Sequence, residues 1–167
     1  MWNLSDRVIY GASGICEIVD VREESFAGEK NTYYVLKPLF DSKTTIHVPV
    51  SNERLTSRMK PVMKKDEAFE LIKRFNAISP LWIDNDKQRQ EKYKEVLECG
   101  ERELLLSVIK ALHERREMLT EKGKKMRSSD EYTLKDAEQL FENECAHIFG
   151  LEKDAVREFI RDTVNAV

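Results

Sequence analysis

The sequence predicts an α+β chain in which a small β module precedes an all-α module, and two observations carry that prediction. Before the basic stretch Ser57-Arg58-Met59-Lys60-Pro61-Val62-Met63-Lys64-Lys65, apolar residues come in short alternating or β-branched runs separated by turn residues. After it they recur at helical spacing to the C-terminus. The change of period divides the 167 residues into a β module over 1–57, a basic joint over 58–64 and a helical module over 65–167.

Val8-Ile9-Tyr10 predicts a first strand and Gly11-Ala12-Ser13-Gly14 the turn after it. A second strand is expected over residues 15–21, with Ile15, Glu17, Val19 and Val21 on one face, then a hairpin loop over 26–31. Residues 32–37 and 44–48 are rich in β-branched and aromatic side chains and predict two more strands, joined through Asp41-Ser42-Lys43. Pro49 stops the last of these, because proline has no N–H for the ladder. Four or five short strands in about sixty residues predict a small SH3-like or Tudor-like β-barrel, which closes on itself and so removes its own edges.

In the helical module, Phe69, Ile72 and Phe75 share one face of a short helix that ends before Ser79-Pro80. A second helix is expected over 84–98, with Tyr93, Val96 and Leu97 inward and Gly100 as its stop. Leu104, Leu105, Val108, Ile109, Leu112 and Leu119 stripe a third, whose far end runs into Lys122-Gly123-Lys124-Lys125. Thr133, with Asp136 three residues on, reads as the N-cap of a fourth that carries Leu134, Ala137, Leu140, Phe141, Cys145 and Ile148 and ends at Gly150. A fifth begins near residue 152, with Ala155, Val156, Phe159, Ile160 and Val164 as its apolar face.

Lys and Arg number 28 against 31 Asp and Glu, a net charge of −3, so any nucleic-acid contact must use a local patch. Arg58, Lys60, Lys64 and Lys65 form one basic block and Lys122, Lys124, Lys125 and Arg127 another, although such blocks are also ordinary solvated surface. Cys16, Cys99 and Cys145 are far apart and form no C-x-x-C pair, which predicts reduced thiols rather than disulfides. Met1-Trp2-Asn3-Leu4-Ser5-Asp6-Arg7 lacks the apolar core of a signal peptide, and no run approaches the roughly 18 apolar residues of a membrane span. The expectation is a soluble cytoplasmic protein that does not enter a membrane.

The residues offer no catalytic cluster. Cys145 and His147 are two apart on a helix and point about 200° from each other, so they cannot share a metal. There is no nucleophile elbow, phosphate-cradling loop or H-E-x-x-H. Carboxylates such as Asp86, Glu91 and Glu95 alternate with Lys on polar faces, where solvated pairs account for them. No enzyme activity, metal, cofactor or small-molecule substrate is therefore expected. A deep pocket with converging polar groups would reopen that question.

Trp82 stands apart, because Ser79-Pro80-Leu81-Trp82 falls in the break between two helices. Two readings stand side by side: the indole closes the core over the turn, or it is an exposed wedge or stacking platform for nucleic acid, with Lys87 and Arg89 near it to meet phosphates. Arg115 and Arg116 border the stripe on the third helix, where their stems can cover core atoms or their heads meet phosphate.

Taken in order, these residues resemble the CarD/CdnL family of bacterial transcription regulators. The family's opening G-D-x-V-V-Y type strand is matched by Ser5-Asp6-Arg7-Val8-Ile9-Tyr10 and its small-residue turn by Gly14. The Y-x-V-L strand is matched by Tyr34-Val35-Leu36, or Tyr33 in register, and the V-P strand end by Val48-Pro49. Trp82 after the first helix, followed by a basic helix containing Arg89 and Tyr93, extends the likeness over about residues 1–150.

The resemblance implies a Tudor-like domain that docks on the β subunit of RNA polymerase. It also implies a helical domain that contacts promoter DNA, without sequence preference, at the upstream edge of the melted region to modulate open-complex stability. Trp82 would be the wedge, with Lys87, Arg89, Lys92, Arg115, Arg116, Lys124, Lys125 and Arg127 as phosphate contacts. On the barrel, two basic polymerase-contacting positions of the family fall on Glu24 and His47, with Arg22 as a substitute for the first and Pro49 at the strand end. The family's glycine before the first Asp is Ser5 here, which argues that a positive φ is not essential at that point. The alternative is a protein-only adaptor with an SH3-like binding barrel and a helical oligomerisation domain that does not bind DNA.

Overall fold

The computed structural model describes residues 1–167, and the chain divides into two compact units, Met1–Val62 and Met63–Val167. In the first, β1 (Arg7–Tyr10), β2 (Ile15–Phe26), β3 (Glu29–Pro38), β4 (Ile46–Pro49) and β5 (Met59–Pro61) form one antiparallel sheet in the order β4-β3-β2-β1-β5. β4 and β5 lie at opposite ends of that order, so the pairings define a five-stranded sheet rather than the closed barrel expected from strand spacing. A short helix α1 (Glu53–Thr56) follows β4, its first turn capped by the Asn52 side chain, which accepts the Leu55 N–H. β5 lies within the stretch that its charge marks as a joint. Met59, buried in the core and paired with Tyr10, is the one apolar signal that betrays it.

β2 runs five residues past the expected 15–21, and a turn at Ala27 and Gly28, both with positive φ, closes it tightly onto β3. Alternation fails inside β2 because the register shifts between Ile18 and Asp20, a bulge at Val19. The core takes Cys16 and Ile18, with Val8, Tyr34, Leu36, Val48 and Met59; of the expected apolar face Ile15 is buried, while Val19 and Val21 are exposed. Beyond the bulge, Asp20, Arg22 and Glu24 project from the face opposite that core, beside Tyr33 and Asn31 of β3 and His47 and Pro49 of β4.

Ser5 corrects a second expectation. Its φ is 70°, so the chain does need the left-handed region before Asp6, and a residue with a Cβ occupies it. Replacing Ser5 with Gly relieves that strain and should stabilise the first unit by about 1 kcal/mol, net of the extra freedom glycine gains when unfolded. A midpoint shift in chemical denaturation of the variant checks this.

The second unit contains α2 (Lys65–Lys73), α3 (Asp86–Cys99), α4 (Arg102–Glu121), α5 (Ser128–Phe149) and α6 (Lys153–Asn165). Its core joins Leu71 and Ile72 of α2 to Tyr93 and Val96 of α3, Val108 and Leu112 of α4, Leu134, Phe141 and Cys145 of α5, and Val156 of α6. Gly100 and Gly150 end α3 and α5 with φ of 75° and 64°, as the sequence predicts. Phe69 and Leu104 depart from their expected inward faces and are partly exposed, Phe69 lying against the rings of Phe149 and Phe159. α5 begins more than a turn before Thr133, whose hydroxyl donates back to the Ser129 carbonyl at 2.9 Å instead of capping.

Candidate nucleic-acid interface and docking face

Cross-strand register sets Arg22, Tyr33 and Pro49 side by side on the outer face of the first unit's sheet. Arg22 Nε donates to Glu24 Oε1 at 2.6 Å, and Glu24 Oε2 lies 3.3 Å from His47 Nδ1. Arg22 also pairs with Asp20 at 3.6 Å. The ring of Tyr33 meets Phe26 edge-on at 5.8 Å and stands 6.3 Å from His47. Thus Arg22 and Glu24 of β2 and His47 and Pro49 of β4, two pairs far apart in sequence, share one face. Tyr33 and the exposed Phe26 join them without having been singled out. Adjacent tyrosines hid this, since only the register tells that Tyr34 is in the core and Tyr33 outside.

In the second unit, the segment between α2 and α3 that carries Trp82 is tied down at several points. Leu81 N–H donates to the Ser107 carbonyl at 3.1 Å, and the Tyr93 hydroxyl donates to the Leu81 carbonyl at 2.7 Å. Arg89 Nη1 donates to the carbonyls of Ile83 and Asp84 at 3.0 and 3.4 Å. Its Nε and Nη2 reach the two Asp130 oxygens at 3.0 and 2.8 Å, and Nη2 also donates to Asp86 at 2.8 Å. The Trp82 ring is half-buried against the core, with Nε1 donating to Asp84 Oδ1 at 2.9 Å. The guanidinium carbons of Arg89 and Arg115 lie over it, 4.3 and 5.0 Å from a ring centroid. The indole thus packs on the core, as the first of its two readings expects, and keeps part of its surface exposed.

Arg89 is corrected by this geometry. At 1% exposure and bound to Asp130, itself 2% exposed, it has no free donor to offer a phosphate. The signal that could have found this partner lies 41 residues away on another helix. Of the other basic candidates, Lys87, Arg116, Lys124 and Lys125 are exposed and Arg115 is half-buried over Trp82. Lys92 pairs with Glu95 at 3.6 Å and Arg127 with Asp86 at 2.9 Å. Buried Met126 anchors the loop that carries Lys124, Lys125 and Arg127.

Hydrogen bonding from Arg89, helped by the charge of Arg127, holds the Asp86 carboxyl below the usual range, and burial pushes the Tyr93 hydroxyl up to about 12. Both groups are thus locked in one protonation state near neutrality.

A groove of about 700 Å³ runs past α4, α5 and α6, with Ile109, Phe141, Ile160 and Val164 among its apolar lining. Four of its charged or titratable groups pair with one another: His113 Nε2 is 2.6 Å from Glu138, and Arg157 reaches Glu142 at 2.8 Å and Glu138 at 3.6 Å. Burial raises the Glu138 pKa, but the His113 hydrogen bond and the charges of His113, Arg157 and Arg116 outweigh it and hold the carboxyl below its ordinary value. A depressed carboxylate pKa contributes stability that is full above the unfolded value and lost as pH falls through the folded one. The stability difference between wild type and Glu138→Gln, about 1 kcal/mol or less for such a partly exposed network, should accordingly be present at pH 7. It should vanish on acidification below the ordinary glutamate range, which denaturation at a series of pH values checks. No group of three or more His, Cys, Asp or Glu residues could hold a metal ion, and no helix is long and apolar enough to cross a membrane.

Comparison with known families places the first unit. Residues 3–63 match the CarD-like/TRCF RID domain, a non-catalytic regulatory module. The match ends where the helical unit begins, and no curated protein matches the chain. Residues 3–63 are thus similar to the CarD-like/TRCF RID domain, and the helical unit lies outside that match.

Proposed function

We propose that this chain is a cytoplasmic transcription regulator of the bacterial type. Its first unit serves as a Tudor-like module that docks on the β subunit of RNA polymerase through the face built by Arg22, Glu24, Tyr33, His47 and Pro49. The helical unit contacts promoter DNA, without sequence preference, at the upstream edge of the melted region and modulates open-complex stability. Trp82 enters as the wedge, and Lys87, Lys92, Arg115, Arg116, Lys124, Lys125 and Arg127 meet phosphates.

The match of residues 3–63 to the RID domain carries this reading. It is supported by a partly exposed indole in a tied-down segment with Arg115 over its ring, since an apolar wedge lowers the cost of opening a base step. Exposed cations act on phosphates within roughly a Debye length, about 8–10 Å, despite the net acidity of the chain.

The test uses the full-length protein with purified RNA polymerase and a forked promoter fragment. Polymerase should be retained by the wild type and lost on Arg22→Glu combined with Tyr33→Ala. Fork affinity should fall with salt at a slope of roughly −0.9 per phosphate contacted. Retention of polymerase with no salt-dependent fork binding would favour the protein-only adaptor, and no retention at all would remove the docking half of the reading.

A further inference from the structure

We infer that Arg89 is a positioning residue for Trp82, clamped by Asp130 so that the indole is presented in one orientation. This deepens the wedge reading above and rests on it. Taking an arginine and an aspartate out of water is costly, and the attraction between them repays it only where further hydrogen bonds satisfy what remains. Here they do. Asp130 accepts two bonds from Arg89 and a third from Gln90 Nε2 at 2.7 Å, while Arg89 also meets Asp86 and two backbone carbonyls.

Those carbonyls belong to Ile83 and Asp84, the two residues after Trp82, and the guanidinium carbon lies over the indole itself, 4.3 Å from a ring centroid. The clamp thus holds the backbone that carries the ring and one of its contacts at once, from the first turn of α5. Asp84 fixes the indole N–H in the same neighbourhood. An aromatic side chain held this way has little freedom left to lose on meeting DNA, so more of its contact energy appears as binding. An apolar pair of similar volume could fill the space but could not hold two carbonyls and stack on the ring.

The experiment places Arg89→Lys and Asp130→Asn in a Trp2→Phe background, where tryptophan emission reports Trp82 alone. Lysine keeps the charge and loses the planar fork. Both variants are expected to keep their helical circular dichroism at low temperature, to show Trp82 more readily quenched by acrylamide, and to bind the forked fragment about tenfold more weakly. Unchanged quenching and affinity in a folded variant overturns the inference. So does full fork binding by Arg89→Lys, which would mean that charge alone matters. If both variants unfold, the pair belongs to the core of the fold and the positioning role is rejected. Absence of fork binding by the wild type would instead sink the wedge reading, and the quenching comparison would still decide whether Arg89 orients Trp82.

Discussion

Asp130→Ala should destabilise the helical unit by about 3–5 kcal/mol, as much as truncating a large side chain of its core. The reason is what stays behind. Truncating Asp130 removes three accepted hydrogen bonds and leaves the Arg89 guanidinium almost wholly inside the protein, with Asp86 as its remaining carboxylate. Against a typical domain stability of about 5–15 kcal/mol, the loss is a large share of the total. Urea titration of wild type and variant measures it as a fall in midpoint at constant slope. A double variant, Arg89→Met with Asp130→Leu, should recover much of the loss, since replacing both ions by apolar groups removes the stranded charge. A cost under about 1 kcal/mol for Asp130→Ala would mean that water reaches Arg89 and that the pair is a surface one.

The second large effect is functional. Trp82→Ala should shorten the lifetime of open promoter complexes roughly ten- to a hundredfold, because unstacking a base step costs a few kcal/mol that an inserted ring offsets. The ring is only half-buried, so the same substitution should lower stability by no more than about 1–2 kcal/mol and leave the unit folded. Trp82→Phe keeps an apolar wedge but gives up the bond to Asp84, and should fall between the two. Competitor-challenge decay of preformed complexes provides the measurement. An unchanged lifetime with Trp82→Ala would return Trp82 to its other reading, a side chain that closes the core.

What could be read in the chain depended on distance along it. Helix stops at Gly100 and Gly150 were legible because a left-handed residue after a periodic run is a local signal. The Thr133 cap was misread because a threonine inside a helix can bond back to the preceding turn, and nothing in its neighbours distinguishes the two uses. The face of β2 was misread because Cys16 and Ile18, not Glu17 and Val19, face the core, and the bulge at Val19 then breaks the pattern of period two. Met59 was passed over because three residues of strand among basic neighbours carry too little alternation to register.

By itself, then, the sequence determined the change from β to helical period, the order of the four longer strands and five longer helices taken without α1 and β5, and the place of Trp82 in a break between helices. Each follows from hydrophobic spacing and backbone stereochemistry among near neighbours. Only the tertiary structure decided that Arg22, Glu24, His47 and Pro49 share one sheet face around Tyr33, and that Arg89 turns inward to Asp130 and supports Trp82. Whether a charge faces water or a buried partner depends on which distant segment packs over it, and in Arg89 that segment lies 41 residues on.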